Sequence, residues 1–211
     1  STILVTTNPI WVALASLLWL GERPSRAALI GIAVALFGTL FTFGGEDGPS
    51  IRANAATFGN ALALIGALAA SGYLLIGRAV RDLLPLLTYV ALAYSTAAAL
   101  LWVAVLATSA SLHGFSAFAW LALILLALGP QLIGHTAFNF ALRHMSAPFV
   151  ALSILGEPIG AAFLAWLLFG ERFSSLQFIG FALLLIGIFL AARGETRSHR
   201  AAQPGKTARP S

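Results

Sequence analysis

Apolar residues run through this chain in seven long blocks, at roughly residues 2–20, 27–44, 57–77, 84–107, 117–142, 147–169 and 174–192. Short clusters of Gly, Pro and charge separate them: Gly21 to Arg26, Gly44 to Ser50, Gly77 to Pro85, Arg143 to Pro148 and Gly170 to Ser175. Each block approaches the ~20 apolar residues that cross a ~30 Å hydrocarbon core. Without water to bond its peptide groups, such a block satisfies its own backbone only as a helix. The pattern therefore predicts an all-α integral membrane protein with seven transmembrane helices. After Arg193 the chain turns polar and basic, through Glu195, Arg197, His199, Arg200 and Lys206. That composition buries no core, so residues 194–211 are expected to form a disordered tail.

Part of the pattern occurs twice. Pro9-Ile10, an apolar run, Gly21-Glu22-Arg23, Ile30-Gly31 and Gly38 return as Pro158-Ile159, an apolar run, Gly170-Glu171-Arg172, Ile179-Gly180 and Gly187. The offset is 149 residues throughout, from Pro9 to Pro158. An internal repeat constrains the fold more than any local signal. A unit of this length holds five membrane helices, an odd number. Two fused copies then lie in the bilayer in opposite orientations, an arrangement on which many transporters are built. Residues 1–44 read as the end of a first copy, 45–56 as the linker and 57–193 as a full second copy.

Composition sharpens this picture. Only 9% of the 211 residues are charged, against about 25% in a soluble domain. Cysteine is absent, which removes disulfides and thiolate metal sites. The net charge of +5 points to membrane orientation rather than to nucleic acid, because the basic residues sit in short loops and the tail. With the tail in the cytoplasm, ten of the twelve Lys and Arg residues fall inside. Arg52 and Arg172 alone fall outside, which is a positive-inside signal. The first Gly-Glu-Arg loop is then cytoplasmic and the second external. Position 1 is Ser and an apolar block follows at once, so three further helices are expected upstream.

The paired Pro…Gly-Glu-Arg…Gly pattern resembles the EamA type of the drug/metabolite transporter superfamily. Residues 57–193 resemble a whole five-helix repeat, and residues 1–44 the last two helices of a preceding one. Gly134-His135-Thr136-Ala137-Phe138-Asn139, Ser146-Ala147-Pro148 and Leu155-Gly156-Glu157-Pro158 are similar to bacterial members. The resemblance implies ten helices with both ends cytoplasmic. It also implies alternating access and movement of small metabolites across the cell (inner) membrane.

Candidate chemistry gathers in two places. Glu157 falls at the middle of its block, where a charge costs roughly 3 kcal/mol unless it is neutral, paired or facing a cavity. It reads either as a protonatable or solute-binding carboxylate, or as a hydrogen-bonding residue between helices. Asn8 is its counterpart in the first copy, also before a proline. Gly156 and Gly160 form a small-xxx-small pair that admits a neighbouring helix. Gln131, His135, Asn139 and Arg143 recur every four residues and form one stripe on a helix that Pro130 and Gly134 are expected to kink. His135 could titrate near neutral pH and relay a proton with Glu157. The stripe reads as cavity lining or as interhelical hydrogen bonding, with Arg143 as a topology anchor.

Weaker candidates are Asn60, Ser71 and Tyr73, with Tyr73 offering a hydroxyl or a stacking face. Tyr89 and Tyr94 read equally as packing residues. Trp11 and Trp102 lie deep enough to line a pocket, while Trp19, Trp120 and Trp166 suit an aromatic belt. No nucleophile-elbow, zinc-protease or phosphate-loop motif occurs. The four His share no ligand spacing. The expectation is thus a transporter, not an enzyme, with no cofactor and no metal. Its partners are the bilayer, a small-molecule solute, protons as coupling ion and a second copy in a homodimer. The rival reading is a non-transporting membrane scaffold that needs a partner.

Overall fold

The computed structural model describes residues 2–43 and 53–201, with side chains described over residues 3–43 and 58–195. All regular structure in these residues is helical: α1 (Thr2–Val5), α2 (Asn8–Ala15), α3 (Arg26–Phe43), α4 (Ala53–Val80), α5 (Leu86–Thr108), α6 (Ala117–Leu126), α7 (Thr136–Ala141), α8 (Ala147–Ile154), α9 (Glu157–Phe169) and α10 (Ser175–Ala201). Wide π-helical turns continue α2 over Ser16–Leu20 and join α6 to α7 over Ala127–His135. These segments form seven stretches long and apolar enough to cross a membrane, Ile3–Leu20, Arg26–Phe43, Phe58–Val80, Leu86–Thr108, Ala117–Ala141, Ala147–Phe169 and Ser175–Glu195. They follow the seven blocks read from the sequence to within a few residues.

Two differences stand out. α10 does not stop at Arg193 but runs to Ala201, so the start of the expected disordered tail is helical. The cause is anchoring: Ser146 N–H and Oγ–H both bond the Glu195 carboxylate, the latter at 2.8 Å. Residues 202–211 of the tail and 44–52 of the linker lie outside the described residues. The second difference is that the first, fifth and sixth spans are not uninterrupted α-helices.

The chain divides into two compact units, residues 1–76 with 145–211, and residues 77–144. The core of the first is shared by α2, α3, α8 and α10: Ala13, Ala28, Ile32, Ala35, Phe149, Leu152, Leu184 and Ala191 are buried together, with Leu155 of the turn after α8. The centre of this unit is the α3–α10 pair. A Cβ placed on Gly31 would lie 2.5 Å from Gly187 O, and one on Gly38 would lie 2.8 Å from Gly180 O. The two backbones therefore touch, as small residues permit inside a membrane. Because Gly31 meets Gly187 while Gly38 meets Gly180, the helices are antiparallel. Gly31 and Gly180 are repeat counterparts, as are Gly38 and Gly187. The two contacts thus join the same pair of repeat positions, with the roles of the two helices exchanged.

The loops that enter these helices also match. Gly21 and Gly170 both take left-handed backbone, with φ of 65° and 67°. Glu22 N–H reaches back to Ser16 O at 3.1 Å, and Glu171 N–H to Ala165 O at 3.4 Å. Ser25 Oγ accepts from Ala28 N–H at 3.1 Å. Its counterpart Ser174 accepts from Gln177 N–H at 3.2 Å, while Gln177 Oε1 accepts from Ser174 N–H, a complete capping box.

In the second unit the last turn of α4 meets the end of α7. Arg78 donates to Leu142 O at 2.6 Å, and Arg81 donates to Arg143 O at 3.1 Å. Arg143 returns the contact by donating to Arg81 O. Cations here bond helix-end carbonyls and oppose the negative ends of the helix dipoles. Arginines that read as topology anchors are therefore also helix caps.

Methyl groups in the glycine seam have nowhere to go. Gly38→Ala and Gly187→Ala should each destabilise the protein by about 1–3 kcal/mol, the usual cost of overpacking. Gly66→Ala, with nothing within 4 Å of its new Cβ, should be neutral or stabilise by up to ~1 kcal/mol. Equilibrium unfolding in mixed detergent micelles reads all three.

Candidate functional site

Polar chemistry inside the spans is concentrated where the helices are interrupted. In the first unit the interruption occurs twice, at counterpart positions. α1 ends at Val5 and α2 begins at Asn8, while α8 ends at Ile154 and α9 begins at Glu157. Thr7 N–H bonds Leu4 O at 3.2 Å and Ile10 N–H bonds Thr7 O at 2.9 Å. Their counterparts, Gly156 N–H to Ser153 O and Ile159 N–H to Gly156 O, measure 3.0 and 3.1 Å. The cause is shared. Pro9 and Pro158 lack the N–H that would continue the ladder, and each ring crowds the carbonyl four residues back. Proline in the first turn of the new half-helix avoids that conflict.

Carbonyls at the first break are held by side chains. Thr6 Oγ donates to Ile3 O at 2.8 Å and Thr7 Oγ to Leu4 O at 2.7 Å. Trp11 Nε1 donates to Thr7 Oγ at 3.0 Å, so this indole supports the break from within. Trp102, by contrast, is exposed on the apolar surface. At the second break Ser153 Oγ donates to Phe149 O at 2.9 Å. Gly156 lies against Ile188 of α10, and a Cβ on Gly160 would meet open space.

The residues that open the two half-helices have different surroundings. Asn8 is buried and its amide lies 2.7 Å from Ser71 Oγ of α4. Ser71 Oγ is also 2.7 Å from Ala67 O, and a hydroxyl has one proton to give. Asn8 Oδ1 and Ala67 O are both acceptors in reach of that proton, so the Ser71 hydroxyl links α4 to the head of α2. Glu157 is exposed on its unit and makes no hydrogen bond or ion pair among the described residues. Tyr73, two residues beyond Ser71, is half-buried.

The second unit holds the polar stripe, and the structure separates its members. Gln131 and Arg143 are exposed, His135 is half-buried and Asn139 is buried. Asn139 Nδ2 donates to His135 O at 2.9 Å, folding the amide against its own helix. The His135 ring packs edge-on against Phe138, with centroids 6.2 Å apart. The stripe is broken because Gln131 and His135 lie in the π-helical turn and Asn139 in α7. Pro130 sits inside that turn, so the expected kink takes the form of a widened helix. Tyr94 of α5 reaches this turn, its hydroxyl donating to Gln131 O at 3.2 Å with Thr136 Oγ 3.3 Å away. Sequence reasoning gave Tyr94 no role here, since an aromatic on an apolar helix carries no signal of its target. Glu195 was likewise missed, because it was assigned to the tail.

Paired helix breaks at counterpart positions, within seven spans long and apolar enough to cross a bilayer, define a multi-pass membrane protein. The comparisons specify which kind. Residues 57–193 match the EamA-like transporter family, and the chain belongs to that family. A solved crystal structure of a protein 22% identical in sequence superposes with a TM-score of 0.79, covering 93% of this chain and 68% of its own. That likeness concerns the fold alone. No curated protein matches the chain.

The Asn8–Ser71 contact makes a direct test. Asn8→Ala and Ser71→Ala should each destabilise the protein, and the double variant should fall short of their sum. The coupling energy should be about 0.6 kcal/mol, as interhelical hydrogen bonds in membranes average. A double-mutant unfolding cycle measures it.

Proposed function

We propose that this chain forms the working part of a secondary transporter that moves a small organic solute by alternating access. The observation that carries this reading is the pair of counterpart breaks in the spans, each opened by a polar residue before a proline. Discontinuous membrane helices of this kind present half-helix ends and unwound carbonyls to substrates and coupling ions. Family membership supports transport as the activity.

Glu157 is the residue we assign to coupling in the first unit. It stands at the head of α9 without a partner among the described residues, and an ionisable group at this depth is a functional candidate by default. Asn8 holds the corresponding place in the first copy as a fixed polar group. Tyr73 borders its α4 contact and is proposed to face solute. Gln131, His135 and Asn139 supply the polar groups of the second unit, and His135 is the second titratable group proposed to carry protons. On this reading the protein lies in a cell (inner) membrane, and the distribution of Lys and Arg supports a cytoplasmic C-terminus. Assembly as a homodimer is compatible with this reading and independent of it.

The test is solute uptake into proteoliposomes containing the full-length protein, screened over a panel of small metabolites at several pH values. Uptake should depend on pH and on an imposed proton gradient. Glu157→Gln should remove that dependence and lower the maximal rate at least tenfold. Full, pH-dependent uptake by the variant would sink the coupling role of Glu157, and absence of flux for every solute would favour the scaffold reading.

A further inference from the structure

We infer that Tyr94 is a positioning residue for the polar face of the fifth span, acting through its hydroxyl on the widened turn at Ala127–His135. This rests on the reading of Gln131 and His135 as solute-handling groups, but its structural part stands apart from that reading.

The reasoning begins with the backbone. Pro130 lies inside the π-helical turn and brings no N–H. Its ring excludes the carbonyl of an ordinary α-turn, so the helix opens and intrahelical bonds are redistributed. At the end of that turn Thr136 N–H bonds Ile133 O. The tyrosine hydroxyl meets Gln131 O at 3.2 Å. A carbonyl oxygen accepts two hydrogen bonds, so this outside donor adds to the turn's own bonds, and because hydroxyl and carbonyl meet in the wide geometry it favours that geometry over collapse to α-helix. Thr136 Oγ, 3.3 Å from the same hydroxyl, holds the ring from the far side of the turn. A change from π to α winding removes one residue's worth of slack. It rotates Gln131 and everything before it relative to Asn139 and Arg143. Tyr94 thereby determines which side of the span carries Gln131.

The absence of cysteine allows a clean test in the full-length protein. Single cysteines are placed at Gln131 and at Ile133, and their modification rates by a small charged thiol reagent are compared in membranes. The ratio of the two rates reports the facing of the turn and needs no transport. Tyr94→Phe removes only the hydroxyl and should change that ratio at least threefold. In a Pro130→Ala background, where the donor is restored, the same substitution should change it little. That background also tests the idea if Tyr94→Phe alone fails to fold. An unchanged ratio on Tyr94→Phe, or an equal change with and without Pro130, overturns the inference.

Uptake then separates the two claims. Tyr94→Phe should raise KM for the transported solute severalfold with a smaller effect on maximal rate and an unaltered response to pH. A changed ratio with unchanged KM would retain the turn's dependence on Tyr94 but overturn its role in positioning solute groups.

Discussion

Every irregular feature of this protein answers one constraint: within the bilayer no water is present to bond a peptide group that leaves the helical ladder. At both breaks and at the widened turn after α6, a side chain has been enlisted. Thr6, Thr7 and Trp11 close the break before α2, Ser153 bonds a carbonyl before the break at Gly156, and Tyr94 meets the widened turn after α6. Near the ends of the spans, Arg78, Arg81 and Arg143 bond carbonyls and Glu195 bonds the start of α8. Prolines create these interruptions at Pro9, Pro130 and Pro158. A polar side chain in such a span thus has two readings, as part of a site or as support for the backbone, and its partner decides between them.

The second organising relation is the internal repeat. It acts on contacts, not only on letters. The approach of Gly31 to Gly187 becomes that of Gly180 to Gly38, and the serine caps of α3 and α10 share a register. Backbone contact along α3 and α10 leaves little freedom there, since a single added methyl meets main-chain atoms. Under the alternating access proposed above, motion would spare this seam and use the breaks, where the ladder is already interrupted and few backbone bonds need to change.

Much of this was legible in the sequence because it depends on short-range rules. Seven apolar blocks gave seven spans, and the repeated Gly, Ser and Pro positions fell in the seam, the caps and the breaks. Pro130 foretold a kink, though not that it would be a widened turn that divides the four-residue stripe. That stripe assumed uniform α-helical winding, which a proline and a π-turn remove. Contacts between distant segments were not legible. Nothing in the letters around Tyr94 shows that its hydroxyl meets Gln131 O, and nothing around Ser71 shows that it meets Asn8. Composition also misread the start of the tail. A polar helix leaving the membrane has the same letters as a disordered segment until Glu195 is seen bonded to Ser146.

The two copies share a backbone and differ in what they do with it. In the first, Asn8, Val12 and Ser16 form a buried stripe along one face. In the second the counterpart positions are Glu157, Ala161 and Ala165, with Glu157 and Ala161 exposed and Ala165 half-buried. An amide at position 8 can both give and accept, so it settles into a permanent contact with Ser71. For the coupling role proposed for Glu157, an open position is the one that suits a carboxylate. Asparagine in the closed place and glutamate in the open one is therefore the ordering in which each side chain suits its surroundings. Reversing them would put an ionisable group against α4 and leave the open position with a group that cannot change charge. A duplicated scaffold with unequal burial thus gives one position two surroundings, a fixed amide in the first copy and an open carboxylate in its counterpart.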